Sequence, residues 1–168
     1  MMDEFANAGG EPLANGADTA PAAGLISQYV KDLSFENPNA PAIYQEPQAP
    51  EINVQFDIGA AQVADEVHEV TLKIEVRATT GGKTAFIAEL AYAGLFGLRN
   101  VPAEHVQPFL LGEGPRLLFP FARRVVADAI RDGGFPPLLL EPIDFNALFL
   151  QQAQAQGVQF GADDAGHA

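Results

Sequence analysis

From residue 51 to residue 58 the chain alternates without a break, with Ile52, Val54, Phe56 and Ile58 apolar and Glu51, Asn53, Gln55 and Asp57 polar. Successive side chains of a strand point to opposite faces, so this pattern predicts a strand with one dry and one wet face. His68 to Ala78 repeats the pattern: Val70, Leu72, Ile74, Val76 and Ala78 oppose Glu69, Thr71, Lys73, Glu75 and Arg77. Thr80-Gly81-Gly82-Lys83 joins it to a third segment, Thr84 to Tyr92, and a Gly-Gly pair suits a tight hairpin turn. That third segment is apolar on both sides, with Phe86, Ala88, Leu90 and Tyr92 on one and Ala85, Ile87 and Ala91 on the other; Glu89 is its only charge. Such a strand requires cover on both faces, from the chain's own helices, another subunit or a bound polypeptide. Ahead of these, Ile26 to Glu36 alternates less cleanly around Tyr29, Leu33 and Phe35 and reads as a first strand, nearer an edge.

The period then lengthens. Pro102 to Leu111 reads as a short helix or turn. Pro115 to Ile130 carries Leu118, Phe121, Ala122, Val125, Val126 and Ala129 at helical spacing, with Arg116, Arg123, Arg124 and Asp128 opposite. Gly133-Gly134 stops this helix, and Pro120 inside it is expected to kink it or delay its start. A Pro- and Leu-rich loop, Phe135 to Pro142, leads to a last helix capped by Asp144, with Phe145, Leu148 and Phe149 on one face. Strands first and helices afterwards are the mark of an α+β fold. Residues 1–24 hold Asp3, Glu4, Glu11 and Asp18 and no base, and with residues 153–168 they are expected to be disordered tails around one domain, 25–152.

Composition narrows the function. An apolar share of 48% fills one core, and 12 Phe without Trp suit dry packing and greasy contact surfaces. The absence of Cys excludes disulfides, thiolate metal sites and a Cys nucleophile, and fits a reducing, cytoplasmic setting. Residues 1–24 lack the basic start and apolar run of a secretory signal, and no apolar stretch approaches the roughly 18 residues of a membrane span. Nine basic against 22 acidic residues give −13, which repels nucleic acid and attracts a basic partner.

Catalytic readings fail one by one. Gly81-Gly82-Lys83-Thr84 resembles the end of a phosphate loop, but Arg77 stands where its first Gly belongs and a strand follows instead of a helix. His68, His105 and His167 have no metal-ligand spacing, so no metal or other cofactor is expected. Asp65-Glu66 reads as a solvated turn rather than an acid–base pair, and Ser27 and Ser34 lack nucleophile-elbow glycines. What remains is acidity combined with apolar loops, Gly94-Leu95-Phe96-Gly97 and Phe135 to Leu140. These fit either a subunit interface or a groove for extended peptide, with Tyr44, Leu95, Phe96, Phe135 and Leu138 as groove candidates. The chain therefore reads as a protein that binds other proteins and not as an enzyme.

Long stretches resemble the SecB family of bacterial protein-export chaperones. Tyr29-Val30-Lys31-Asp32-Leu33-Ser34-Phe35-Glu36-Asn37-Pro38-Asn39-Ala40-Pro41 is similar to the family's opening strand and turn, Val63 to Val70 to its hairpin, and Thr84 to Glu89 to its next strand. Leu118 to Arg123 is similar to its long helix, and Phe135 to Phe149 to its most recognisable stretch; the likeness covers about residues 25–152. The resemblance implies a four-stranded antiparallel sheet with two main helices on one face, assembled as a dimer of dimers. It implies a cytoplasmic homotetramer that holds unfolded precursor proteins without nucleotide and passes them to the SecA motor, with no insertion into the membrane. Asp32, Glu36, Ile87 and Glu89 occupy the family's motor-docking positions, and Ala88, Leu90 and Tyr92 match positions tied to tetramer assembly. One departure is Gln48, where some members carry a groove Trp. A type III secretion chaperone lacks the Phe-Pro-Pro-Leu-Leu-Leu stretch; a SecB-like chaperone of a toxin–antitoxin system is a narrower variant of the same reading.

Overall fold

Four antiparallel strands form one sheet in the spatial order β1-β4-β3-β2: β1 Ala22–Glu36, β2 Glu51–Ala64, β3 Val67–Thr80 and β4 Lys83–Arg99. The structure is a computed structural model that describes residues 19–165, with side chains described as far as residue 155. The expected tails lie partly outside it; β1 begins within the first of them, and the last helix runs on to Ala165. Two of the strand connections are tight. Gly81 and Gly82 have φ of +56° and +77°, a conformation that a hairpin turn of this hand demands and side chains resist. Asp65-Glu66 forms the other turn, fully wetted, as its charges require.

Helices roof one side of the sheet: α1 Ala103–Pro108, a π-helical turn Phe109–Glu113, α2 Gly114–Asp132 and α3 Phe145–Ala165. The dry face is the one the alternation marks. Val70, Leu72, Ile74, Val76 and Ala78 of β3 are at most 1% exposed, and they face Leu118, Ala122, Val126 and Ile130 of α2 together with Phe86, Leu90 and Phe96 of β4. Gly94 lets α2 come close, because a Cβ there would lie 2.8 Å from Leu118 and 2.9 Å from Leu25. The four-stranded sheet with helices on one face agrees with the expected fold.

Three local expectations are corrected. Gly94-Leu95-Phe96-Gly97 is not a loop but the continuation of β4, with Phe96 and Leu98 inward and Leu95 and Gly97 outward. Its glycines permit close packing instead of a turn. α2 begins at Gly114 and continues through Pro120, which is exposed, so the start is not delayed to that residue; the burial of Leu118, Phe119 and Ala122 beside it offsets the lost hydrogen bond. In α3, Asp144 caps as expected by accepting from Ala147 N at 3.0 Å. Only Phe145 is fully buried, however; Phe149 is half-buried and Leu148 is exposed.

Phe145 anchors α3 through edge-on contacts with Phe119 (5.6 Å between centroids) and Phe56 (6.4 Å). Phe145→Ala should therefore cost about 3–5 kcal/mol. Urea unfolding at fixed protein concentration will show this as a lowered midpoint with an unchanged slope.

Candidate functional site: the open face of the sheet

Among the described residues, no helix covers the other face of the sheet. Strand pairing sets its rows: Asp32, Ala91, Lys73 and Asp57 form one, Ser34, Glu89 and Glu75 the next, and Glu36, Ile87 and Arg77 a third. The four motor-docking candidates, Asp32, Glu36, Ile87 and Glu89, thus share one surface across β1 and β4. Asp32, Glu36 and Glu89 are exposed, and Ile87 is half-buried among them. Glu75 and Glu89 stand directly opposite each other, a like-charge pairing that disfavours the isolated sheet. The first row, with Glu89 and Glu75 of the second, borders a shallow trough of about 800 Å³ whose floor includes the small residues Gly59, Ala61 and Ala91.

A bulge decides which β1 residues reach this face. The register slips between Val30 and Asp32, so the alternation changes parity at Lys31. Tyr29 therefore lies on the open face, opposite Ala93, whereas Leu33 and Phe35 lie on the helix face, contrary to their shared alternation in the sequence. Across β4, Glu69 of β3 accepts from Lys31 Nζ at 2.6 Å and from the Tyr29 hydroxyl. Beneath this bridge Ala93 is fully buried although it points to the open side. The hydrogen bond from Lys31, then that from Tyr29, holds the Glu69 carboxyl below the usual carboxylate range. The same bond, with burial and the nearby charge, pushes the Tyr29 phenol up to about 12. On β3, Arg77 Nε donates to Glu75 Oε1 at 2.8 Å, which holds the guanidinium proton more firmly.

The other candidates fall elsewhere. Ala88, Leu90 and Tyr92 are 1%, 3% and 6% exposed, beneath the helices of their own chain. The five groove candidates do not line one surface. Leu95 is half-buried on the open face, and Phe96 is wholly buried on the helix face because the segment is strand. Tyr44 and Phe135 do meet, with centroids 5.3 Å apart, and Leu138 packs half-buried against the core. The Tyr44 hydroxyl accepts from Asn37 Nδ2 and donates to the Gly133 carbonyl, both at 2.7 Å, which ties the loop after β1 to the end of α2. Leu139 beside them is 72% exposed. Sequence reasoning missed the Tyr29–Lys31–Glu69 bridge; the adjacent polar pair Lys31-Asp32, breaking the alternation, was the available sign of the bulge.

A sheet roofed on one side and left bare and acidic on the other defines a protein that acts through its surfaces. A family model described as preprotein translocase subunit SecB matches residues 16–156, and the chain belongs to that family of protein-export chaperones. It is 63% identical over 158 residues to the protein-export protein SecB of Rhizorhabdus wittichii, covering 94% of this chain and 95% of that protein. It is 67% identical over 148 residues to the SecB of Sphingopyxis alaskensis, covering 88% and 86%. Among solved structures it is similar in fold to a SecB-like chaperone of Mycobacterium tuberculosis in complex with a peptide from the HigA1 antitoxin. There the TM-score is 0.60 at 18% identity, over 72% of this chain and 90% of that one.

The raised phenol yields a test with a definite sign. Tyr29 contributes stability that is full below the ordinary tyrosine value of 10.0 and is lost as pH climbs through about 12. Ultraviolet titration of tyrosinate, wild type minus Tyr29→Phe, should place Tyr29 near 12, and Glu69→Gln should return it toward 10.0. An unshifted Tyr29 would remove the bridge.

Proposed function

We propose that this chain works in the cytoplasm as a nucleotide-independent holding chaperone, a homotetramer that keeps precursors unfolded and hands them to SecA. The observation that carries this reading is the division of surfaces. Unpaired acids occupy the open face, and apolar side chains stay exposed at the helix side and the strand edges. Ile26, Val30 and Leu33 of β1 are 45–61% exposed, and Phe121 on the outer side of α2 is 41% exposed. A lone chain has no use for such surface, and other copies or clients would cover it. Ala88, Leu90 and Tyr92 then act on assembly indirectly, as the floor on which α2 rests.

Holding needs no catalytic step. An unfolded precursor exposes apolar side chains, and binding that ensemble stabilises it against folding by mass action. At ~25 cal/mol per Å², covering ~400 Å² of client surface gives roughly 10 kcal/mol before ordering costs remove much of it. Each contact region alone is weak. Several on one tetramer, engaged by one long chain, provide avidity without sequence specificity. The region around Tyr44, Phe135 and Leu138, with the exposed Leu139, is the groove favoured by this reading. Asp32, Glu36 and Glu89, with Ile87 as an apolar contact among them, form the docking patch for the motor's basic tail.

Two measurements check these assignments. Glu89→Lys should weaken SecA binding at low salt while suppression of precursor aggregation, without nucleotide, persists; unchanged affinity would remove the patch. Phe121→Asp should reduce the mass found by light scattering from tetramer toward dimer, with the circular dichroism of the fold retained. A tetramer that survives would place the interface elsewhere.

A further inference from the structure

Two of the cations on the open face are held by acids that do not belong to the docking set. Lys31 is the β1 neighbour of Asp32, yet its ammonium reaches across β4 to Glu69 at 2.6 Å. Glu69 is only 17% exposed and is braced on its other oxygen by the Tyr29 hydroxyl, so the receiving carboxylate is fixed in place. Arg77 stands in the row of Glu36 and Ile87, within range of the charges of both Glu36 and Glu89, yet its Nε donates to Glu75 of its own strand at 2.8 Å. Lys73, opposite Asp57 on β2, makes no ion pair among the described residues; it borders the same trough, separated from Asp32 in its row by Ala91. Lys31, Asp32, Glu69, Glu75 and Glu89 all border the one trough. A released Lys31 would therefore have Asp32 as its nearest acid along the strand.

We propose that Glu69 and Glu75 are internal counter-ions: they hold Lys31 and Arg77 away from Asp32, Glu36 and Glu89, and so keep those three acids open to a basic partner. The inference rests on the docking reading and adds positioning residues to it. Bare net charge would be served as well by omitting the cations and their acids together. Here Lys31 and Arg77 are instead each tied by a hydrogen-bonded carboxylate, which fixes where much of the remaining negative charge lies. A long side chain that has lost its tether samples many rotamers, and an adjacent carboxylate captures part of that population. The basic partner must then displace it before docking.

The experiment is a two-residue cycle read as affinity for purified SecA at low and at high salt. Glu69→Gln should weaken binding roughly fivefold at low salt, the effect of one close charge pair near water, and less at high salt. Lys31→Met alone should strengthen binding less than it does in the Glu69→Gln background, because the Glu69 charge it uncovers stays partly buried and held by Tyr29, off the docking acids. Lys31→Met in the Glu69→Gln background should restore binding, although the Tyr29 bridge remains broken. If affinity simply followed net charge, Lys31→Met would strengthen binding equally in both backgrounds, and that result would overturn the proposal. Full binding by Glu69→Gln would overturn it as well. Glu75→Gln with Arg77→Met should reproduce the pattern on the second tether. Failure here alongside a weakened Glu89→Lys leaves the docking patch standing without its counter-ions. An inert Glu89→Lys removes the patch itself.

Discussion

The packing of α2 against Val70, Leu72, Ile74 and Val76 of β3 and Ala88, Leu90 and Gly94 of β4 fixes which side of every strand is dry. Strand alternation carries that choice outward to β1 and β2, so one contact layer determines the character of the whole opposite face. With four long strands and helices on only one side, the second face has to be polar or be covered from outside. Glu51, Asn53, Gln55 and Asp57 of β2 and Glu69, Thr71, Lys73, Glu75 and Arg77 of β3 keep this face polar, while Ile87, Ala91 and Leu95 leave β4 partly apolar at its centre.

The like-charge opposition of Glu75 and Glu89 gains meaning in this setting. Cross-strand repulsion works against the isolated fold by tenths of a kcal/mol, and the buried layer beneath absorbs it easily. Arg77, bound to Glu75 at 2.8 Å, takes up part of that repulsion within the chain. The bridge of Tyr29, Lys31 and Glu69 is the opposite kind of feature. It is locally satisfied, pins β1 to β3 across β4, and supports the edge where the bulge weakens regular pairing.

Much of this was legible in the residues. The strict alternations of Glu51 to Ile58 and His68 to Ala78, the Gly81-Gly82 turn and the Asp144 cap each have one local physical cause, and each appears where that cause puts it. The grouping of Asp32, Glu36, Ile87 and Glu89 came from family likeness, and the strand register then gave it geometry. What stayed hidden depended on partners distant in sequence. Gly94 and Gly97 look like loop residues until Leu118 and Ile26 are seen to press against them. Tyr29 seems to share a face with Leu33 until the bulge at Lys31 is placed, and a bulge is a property of two strands rather than one.

The order β1-β4-β3-β2 also bears on how the chain comes into being. β2, β3 and β4 form a meander whose turns close locally, so they can pair as soon as each emerges from the ribosome. β1 is made first and pairs last, because its only neighbour, β4, ends at Arg99. During that interval Ile26, Val30, Leu33 and Phe35 hang on an unpaired strand, which is the kind of segment that aggregates or attracts a chaperone. A protein of a family devoted to keeping other chains unfolded thus begins its own life with an exposed extended segment of similar character.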